Sequence, residues 1–145
     1  MQITFTGQCS DCTGEAQGIL TVTNFTPDSV FGLNLDDFVS FSYNGTNLLN
    51  PFVLDHTNVT AVSGAIGPAY PGAYDVRIEA AVGTPTFVSF SNGNWALSSG
   101  QGPDDFGTNS SYSLAAASVP EPGTGVLCLS VGMLAAVRRR AKCRI

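Results

Sequence analysis

Over the first 118 residues, apolar and polar side chains alternate with a period of two at several places, and no window of eleven residues carries an apolar stripe at helical spacing. The clearest case is Tyr74–Ala80, where Tyr74, Val76, Ile78 and Ala80 fall on one side and Asp75, Arg77 and Glu79 on the other. Such a segment is a strand with one buried and one wet face. Val39, Phe41 and Tyr43 alternate with Ser40 and Ser42, Val88 and Phe90 alternate with Ser89 and Ser91, and Ile19–Phe25 is rich in Thr and Val. Asn44-Gly45 and Asn92-Gly93 each follow such a segment. Both tolerate the positive φ angles of a tight type I′ turn, so the pattern predicts two hairpins. Gly67-Pro68 and Pro71-Gly72 mark a further loop, and the Gly-, Ser- and Asn-rich stretch 98–113 reads as a loop before a last strand near Tyr112–Ala116. Short strands separated by turn signals predict an all-β body over residues 1–118, an antiparallel β-sandwich of about seven to nine strands. Its core is expected to form from Phe5, Phe25, Phe38, Phe41, Phe52, Phe87, Phe90 and Trp95. A domain of this size buries enough surface to need no cofactor or metal for stability.

Charge separates the chain into two parts. Residues 1–119 hold ten carboxylates against a single base, Arg77, whereas residues 120–145 hold Arg138, Arg139, Arg140, Lys142 and Arg144 against Glu121. An acidic body argues against nucleic acid as a partner. Only 12% of the residues are charged and 43% are hydrophobic, so the surface must be carried by uncharged hydroxyls and amides. A chain of 145 residues has room for one domain and a tail.

The tail is apolar and then abruptly basic. Residues 123–137 carry no charge and end at the arginine cluster. As a helix, Thr124–Val137 would rise about 21 Å against a hydrocarbon core of about 30 Å, a gap that long Arg and Lys stems narrow by snorkelling. The segment is expected to be a C-terminal transmembrane helix with residues 138–145 as a basic cytoplasmic end and the acidic body outside. The competing assignment, a buried core helix, lacks the polar face such a helix would show. Ahead of the span, Val119-Pro120-Glu121-Pro122 cannot continue a helix or a central strand, so it must be extended and exposed.

This order of elements, Val-Pro-Glu-Pro, a Gly-containing apolar stretch and a terminal run of Arg, resembles the PEP-CTERM sorting signal of Gram-negative-type bacteria. The resemblance covers about the last 26 residues, 119–145 being the expected signal. It implies processing by exosortase, a membrane cysteine protease, with Val119, Pro120, Glu121 and Pro122 as the recognition motif of a substrate. It also implies an inner-membrane precursor that ends at the cell surface or outside the cell, linked to extracellular polysaccharide and biofilm. Met1–Gly7 has no basic n-region and no apolar run, so the export leader such proteins need is expected upstream of Met1. A tail anchor holding a cytoplasmic body is the alternative, against which the basic end argues.

Few residues suggest chemistry. Cys9-Ser10-Asp11-Cys12 is a C-x-x-C that lacks the strand-helix setting of a redox site and the second pair of a zinc ribbon, Cys128 and Cys143 being in the tail. A local disulfide is the expectation for an exported chain, a free pair the alternative. His56, the sole histidine, stands beside Asp55, but no nucleophile elbow accompanies them and a turn histidine is expected. Asp36-Asp37 and Asp104-Asp105 could serve glycoside hydrolysis or ligate calcium, although no spaced calcium-loop pattern is present and solvated strand ends are the default. Asn-x-Ser/Thr triplets at Asn24, Asn44, Asn58 and Asn109 are frequent by composition alone. The function expected is therefore a non-enzymatic, sorted surface protein of unknown ligand. The alternative is a small carbohydrate-active or redox enzyme carrying the same tail.

Overall fold

A computed structural model describes residues 1–81, 87–98 and 103–115. Ten strands follow in chain order: β1 Gln2–Cys9, β2 Glu15–Val22, β3 Phe31–Gly32, β4 Phe38–Tyr43, β5 Phe52–Asp55, β6 Val59–Ile66, β7 Tyr74–Ala80, β8 Phe87–Ser91, β9 Asn94–Ser98 and β10 Pro103–Leu114. They hydrogen-bond into one sheet in the order β3-β6-β7-β8-β9-β10-β1-β2-β4-β5, with every neighbour antiparallel. No helix occurs among the described residues, as the lack of 3.6-residue periodicity predicts.

The two faces of the core come from a single sheet that curls over itself. Phe5 of β1 stacks on Phe90 of β8 at 5.0 Å between ring centroids, and Phe41 of β4 meets the same ring at 6.1 Å. Neither β1 nor β4 neighbours β8 in the ladder, so only curvature can bring these rings together. Register shifts in the β1–β10, β9–β10, β2–β4 and β6–β7 pairs supply it, because an extra residue on one strand bends it and increases its twist. Phe5, Phe38, Phe41, Phe90 and Trp95 are buried, joined by Phe31, Tyr43, Tyr74 and Tyr112, while Phe25 and Phe52 pack only partly against them. Phe87 is half-buried.

Along β7 the alternation is as expected, with Tyr74, Val76 and Ile78 buried and Asp75, Arg77 and Glu79 exposed. Elsewhere four expectations need correction. The strand placed at Ile19–Phe25 runs from Glu15 to Val22, because β1 pairs with the whole of that segment from Gln2↔Thr21 to Gln8↔Glu15. Asn44-Gly45 does not close a two-residue hairpin: Tyr43 pairs with Phe52 across an eight-residue loop, from which Thr46 reaches β10. Asn92-Gly93 does close one, with Ser91 opposite Asn94, but of the two residues only Gly93 takes a positive φ, 81°, so the turn is not type I′.

The largest correction concerns the stretch read as a loop. From within it, Pro103–Leu114 forms a twelve-residue strand at the centre of the sheet, between β9 and β1, which takes in the start of the strand expected near Tyr112–Ala116. Residues 99–102 and 82–86 lie outside the described segments. Glycine is needed at position 7 of β1 and position 107 of β10, because Trp95 of β9 lies across both. A Cβ on Gly7 would collide with the indole, and one on Gly107 would collide with both the indole and the Gln8 carbonyl.

Candidate functional site

Of the carboxylate pairs singled out by sequence, one member is in the core. Asp105 points inward from β10 and is fully buried. Its Oδ2 accepts from Tyr43 Oη at 2.6 Å and from Thr46 Oγ1 at 2.7 Å, and its Oδ1 has no partner among the described residues. Two hydroxyl donors on one oxygen offset part of the cost of taking a carboxylate out of water. Burial, and then the hydrogen bond to the carboxylate, pushes the Tyr43 phenol far above its ordinary value. Asp104, its sequence neighbour, is half-buried at the register shift between β9 and β10.

Asp37 is a loop clasp. It accepts from the Asn34 amide at 2.7 Å and the Asn24 amide at 3.1 Å, and its backbone carbonyl accepts from Thr23 N–H at 2.8 Å, so it ties the end of β2 to the turn before β4. Asp36 is exposed on that turn, where the Asn34 Oδ1 accepts from its N–H. The two acidic pairs thus sit on separate elements and do not converge on one cleft.

Cys9 and Cys12 are joined in a disulfide with Cα atoms 5.3 Å apart. The loop they close is laced to β10, since Ser10 N–H donates to the Phe106 carbonyl and Phe106 N–H donates to Asp11 Oδ1. Cys9, Asp11 and Cys12 are the one group of potential metal ligands brought together among the described residues, but sulfurs bonded to each other offer no thiolates. Beside the loop lies an open depression of about 610 Å³, lined by Thr6, Gln8, Glu15 and Asn109 among others.

His56 is exposed in the turn between β5 and β6, edge-on to Phe38 at 5.8 Å. Asp55 spends its carboxylate on that turn, accepting from Thr57 Oγ1 and N–H, which holds its carboxyl below the usual range. Neither residue faces a serine hydroxyl among the hydrogen bonds of the described residues.

Sequence reasoning missed a cluster of tyrosines. Tyr112 of β10 packs edge-on against Tyr74 at 5.1 Å and Tyr70 at 5.2 Å, and Tyr74 Oη shares a 2.6 Å hydrogen bond with Ser110 Oγ. Burial raises the Tyr74 phenol, and the Ser110 bond offsets part of that rise. The signal for this cluster was available in the alternation of Ser110, Tyr112 and Leu114, but the Gly-, Ser- and Asn-rich composition around it concealed the strand.

The expected recognition motif Val119–Pro122, the membrane span 123–137 and the basic end Arg138–Arg140, Lys142 and Arg144 lie outside the described residues. Among the described residues no helix is long and apolar enough to cross a membrane. Comparison with known proteins returns no curated relative and no solved structure that matches the chain. A family model, the PEP-CTERM protein-sorting motif, matches residues 118–141, which contain the Pro-Glu-Pro tripeptide, the apolar stretch and the arginine cluster. The chain therefore carries a PEP-CTERM protein-sorting motif at its C-terminal end, the mark of an exported protein targeted to exosortase.

Proposed function

We propose that this protein is a non-enzymatic component of the cell surface. Its precursor is held in the inner membrane by residues 123–137, with residues 138–145 inside and the acidic body outside. Exosortase then reads Val119–Pro122 and releases or transfers the body to the cell surface, where it contacts extracellular polysaccharide. The observation that carries this reading is the match of the sorting motif to residues 118–141, following directly on a β body whose last described strand ends at Leu114. A structural role for the body is supported by what its acids do: Asp105, Asp37 and Asp55 are each engaged by hydroxyl, amide or backbone donors that hold loops and strands in place.

Topology tests the proposal. Protease added to intact spheroplasts of the native host should digest the body and spare an epitope at the basic end. A protected body with a cleaved C-terminal epitope would overturn it.

A further inference from the structure

On the face of the sheet formed by the loop before β7, the β8–β9 turn and β10, a depression of about 250 Å³ is lined by Pro71, Gly72, Tyr74, Asn92, Gly93, Ser110, Ser111 and Tyr112. Its chemistry is uniform. Every described lining residue is aromatic, small or an uncharged hydroxyl or amide, so among the described residues the wall has neither a cation for an anionic ligand nor a carboxylate for a metal. At its rim stands Tyr70, 46% exposed although it is a large aromatic, held by its edge-on contact with Tyr112.

The loop that presents Tyr70 is built stiffly. Ala69 takes a φ of 63°, a left-handed conformation that a residue with a Cβ adopts only at a cost, and such strain concentrates at ligand sites. Cross-bonds hold it there: Ala69 N–H donates to the Pro27 carbonyl, Gly67 N–H to the Ala73 carbonyl and Gly72 N–H to Tyr112 Oη. A site already ordered before binding loses less conformational entropy when it is filled.

Polar valences remain for a ligand. Tyr112 Oη accepts from Gly72 N–H, and among the described residues its own O–H has no acceptor. The Asn92 Oδ1 is used by Tyr74 N–H, and the Nδ2 of the same amide has no acceptor among the described residues. Ser111 opposes Thr6 of β1 and bonds its hydroxyl at 3.2 Å, so its side chain stands on the outer face, away from Tyr112. An exposed aromatic face beside a few uncharged donors and acceptors complements one class of molecule: a ring with an apolar C–H face and a hydroxylated edge.

We infer that the Tyr70–Tyr112–Asn92 depression binds a neutral saccharide unit, the sugar ring stacking on Tyr70 and its hydroxyls meeting Tyr112 and Asn92. The inference rests on the reading of the body as a polysaccharide-contacting module, and it assigns that contact to one place.

The full chain in detergent micelles should migrate more slowly through native gels cast with at least one neutral polysaccharide among a β-glucan, a mannan and a galactan, with alginate as the anionic control. Tyr70→Ala should weaken the retardation at least tenfold, since a half-exposed ring can be removed without opening the core. Asn92→Asp, which keeps the oxygen that accepts from Tyr74 N–H but removes the amide donor, should weaken it too, and Trp95 fluorescence verifies folding of each variant. No retardation in any neutral gel, retardation in alginate alone, or equal retardation of folded Tyr70→Ala and the parent would overturn the site. Processing by exosortase in the host is read separately, so a chain that binds sugar but is not sorted defeats the sorting proposal and leaves this one standing.

Discussion

Tyr43 Oη lies 2.6 Å from Asp105 Oδ2, joining β4 to β10 through the interior although two strands separate them in the sheet. The pair fastens the curl from inside, and Thr46 adds a second donor from the β4–β5 loop. Tyr43→Phe keeps the ring and removes the donor. Because the carboxylate is then left buried with Thr46 alone, the body should lose about 1.5–3 kcal/mol. Urea unfolding followed through Trp95, the sole tryptophan, reads the body even in the full chain.

The same phenol sets an alkaline limit on stability. A folded-state value raised above the ordinary 10.0 means that both states are neutral below pH 10, where its contribution is fully present. As pH rises past 10 the unfolded phenol ionises first, so the folded state binds the extra proton and stability falls by about 1.4 kcal/mol per pH unit for each such group. Tyr74, also raised, contributes in the same direction. Tyr43→Phe should therefore unfold with a shallower loss of stability above pH 10 than the parent. An identical slope would show that Tyr43 ionises alike in both states.

How much of this could be read in the sequence depends on where each strand gets its stability. β7 was legible from Tyr74 to Ala80 because one face is wet and one dry, which writes the structure directly into the alternation. The central strand β10 was not, since Pro, Asp, Gly, Asn and Ser dominate it. Its place is set by partners far along the chain: Tyr43 and Thr46 receive Asp105, Trp95 requires Gly107, and Tyr74 receives Ser110. Strand propensity is a statement about such neighbours, and they are invisible in a local window. The tyrosine cluster was lost with the strand. The sorting motif was legible for the opposite reason, being a linear signal read in order along the chain.

Trp95 tests the glycine requirement at the β1–β9–β10 seam. Gly107→Ala would drive a Cβ into the Gln8 carbonyl and against the indole, which already donates to that carbonyl at 3.3 Å. Strands must separate or the indole must leave, so a loss of about 1–3 kcal/mol is expected, in the range of overpacked cores. Trp95 emission should shift to the red as the ring, 3% exposed in the native fold, gains water. Unchanged emission and stability would mean that the seam tolerates a side chain.

Gly93 separates backbone strain from crowding. Its φ of 81° lies in the left-handed region, and a Cβ built there meets nothing within 4 Å. Gly93→Ala should thus cost about 1 kcal/mol, all of it conformational. Gly93→Asn should recover much of that, since Asn tolerates this region better than Ala. A neutral Ala variant by urea unfolding would show that the turn relaxes to another geometry.

Processing should depend on the tripeptide and not on the fold. Pro120, Glu121 and Pro122 come after Leu114, where the last described strand ends, and among the described residues no core residue lies beyond it. Replacing all three with alanine should leave the unfolding midpoint of the body unchanged. In a host carrying exosortase the same variant should accumulate at full length in the membrane fraction. Proline disfavours helix at the residue before it, and Glu121 supplies the single negative charge of residues 120–145, so the substitution removes both a conformational preference and a charge available for recognition. Neutralising Arg138, Arg139 and Arg140 should act differently, loosening orientation and retention while the tripeptide remains readable. Equal maturation of the alanine variant and the parent, measured by immunoblot of membrane and extracellular fractions, would show that exosortase does not read Pro120–Pro122 in this chain.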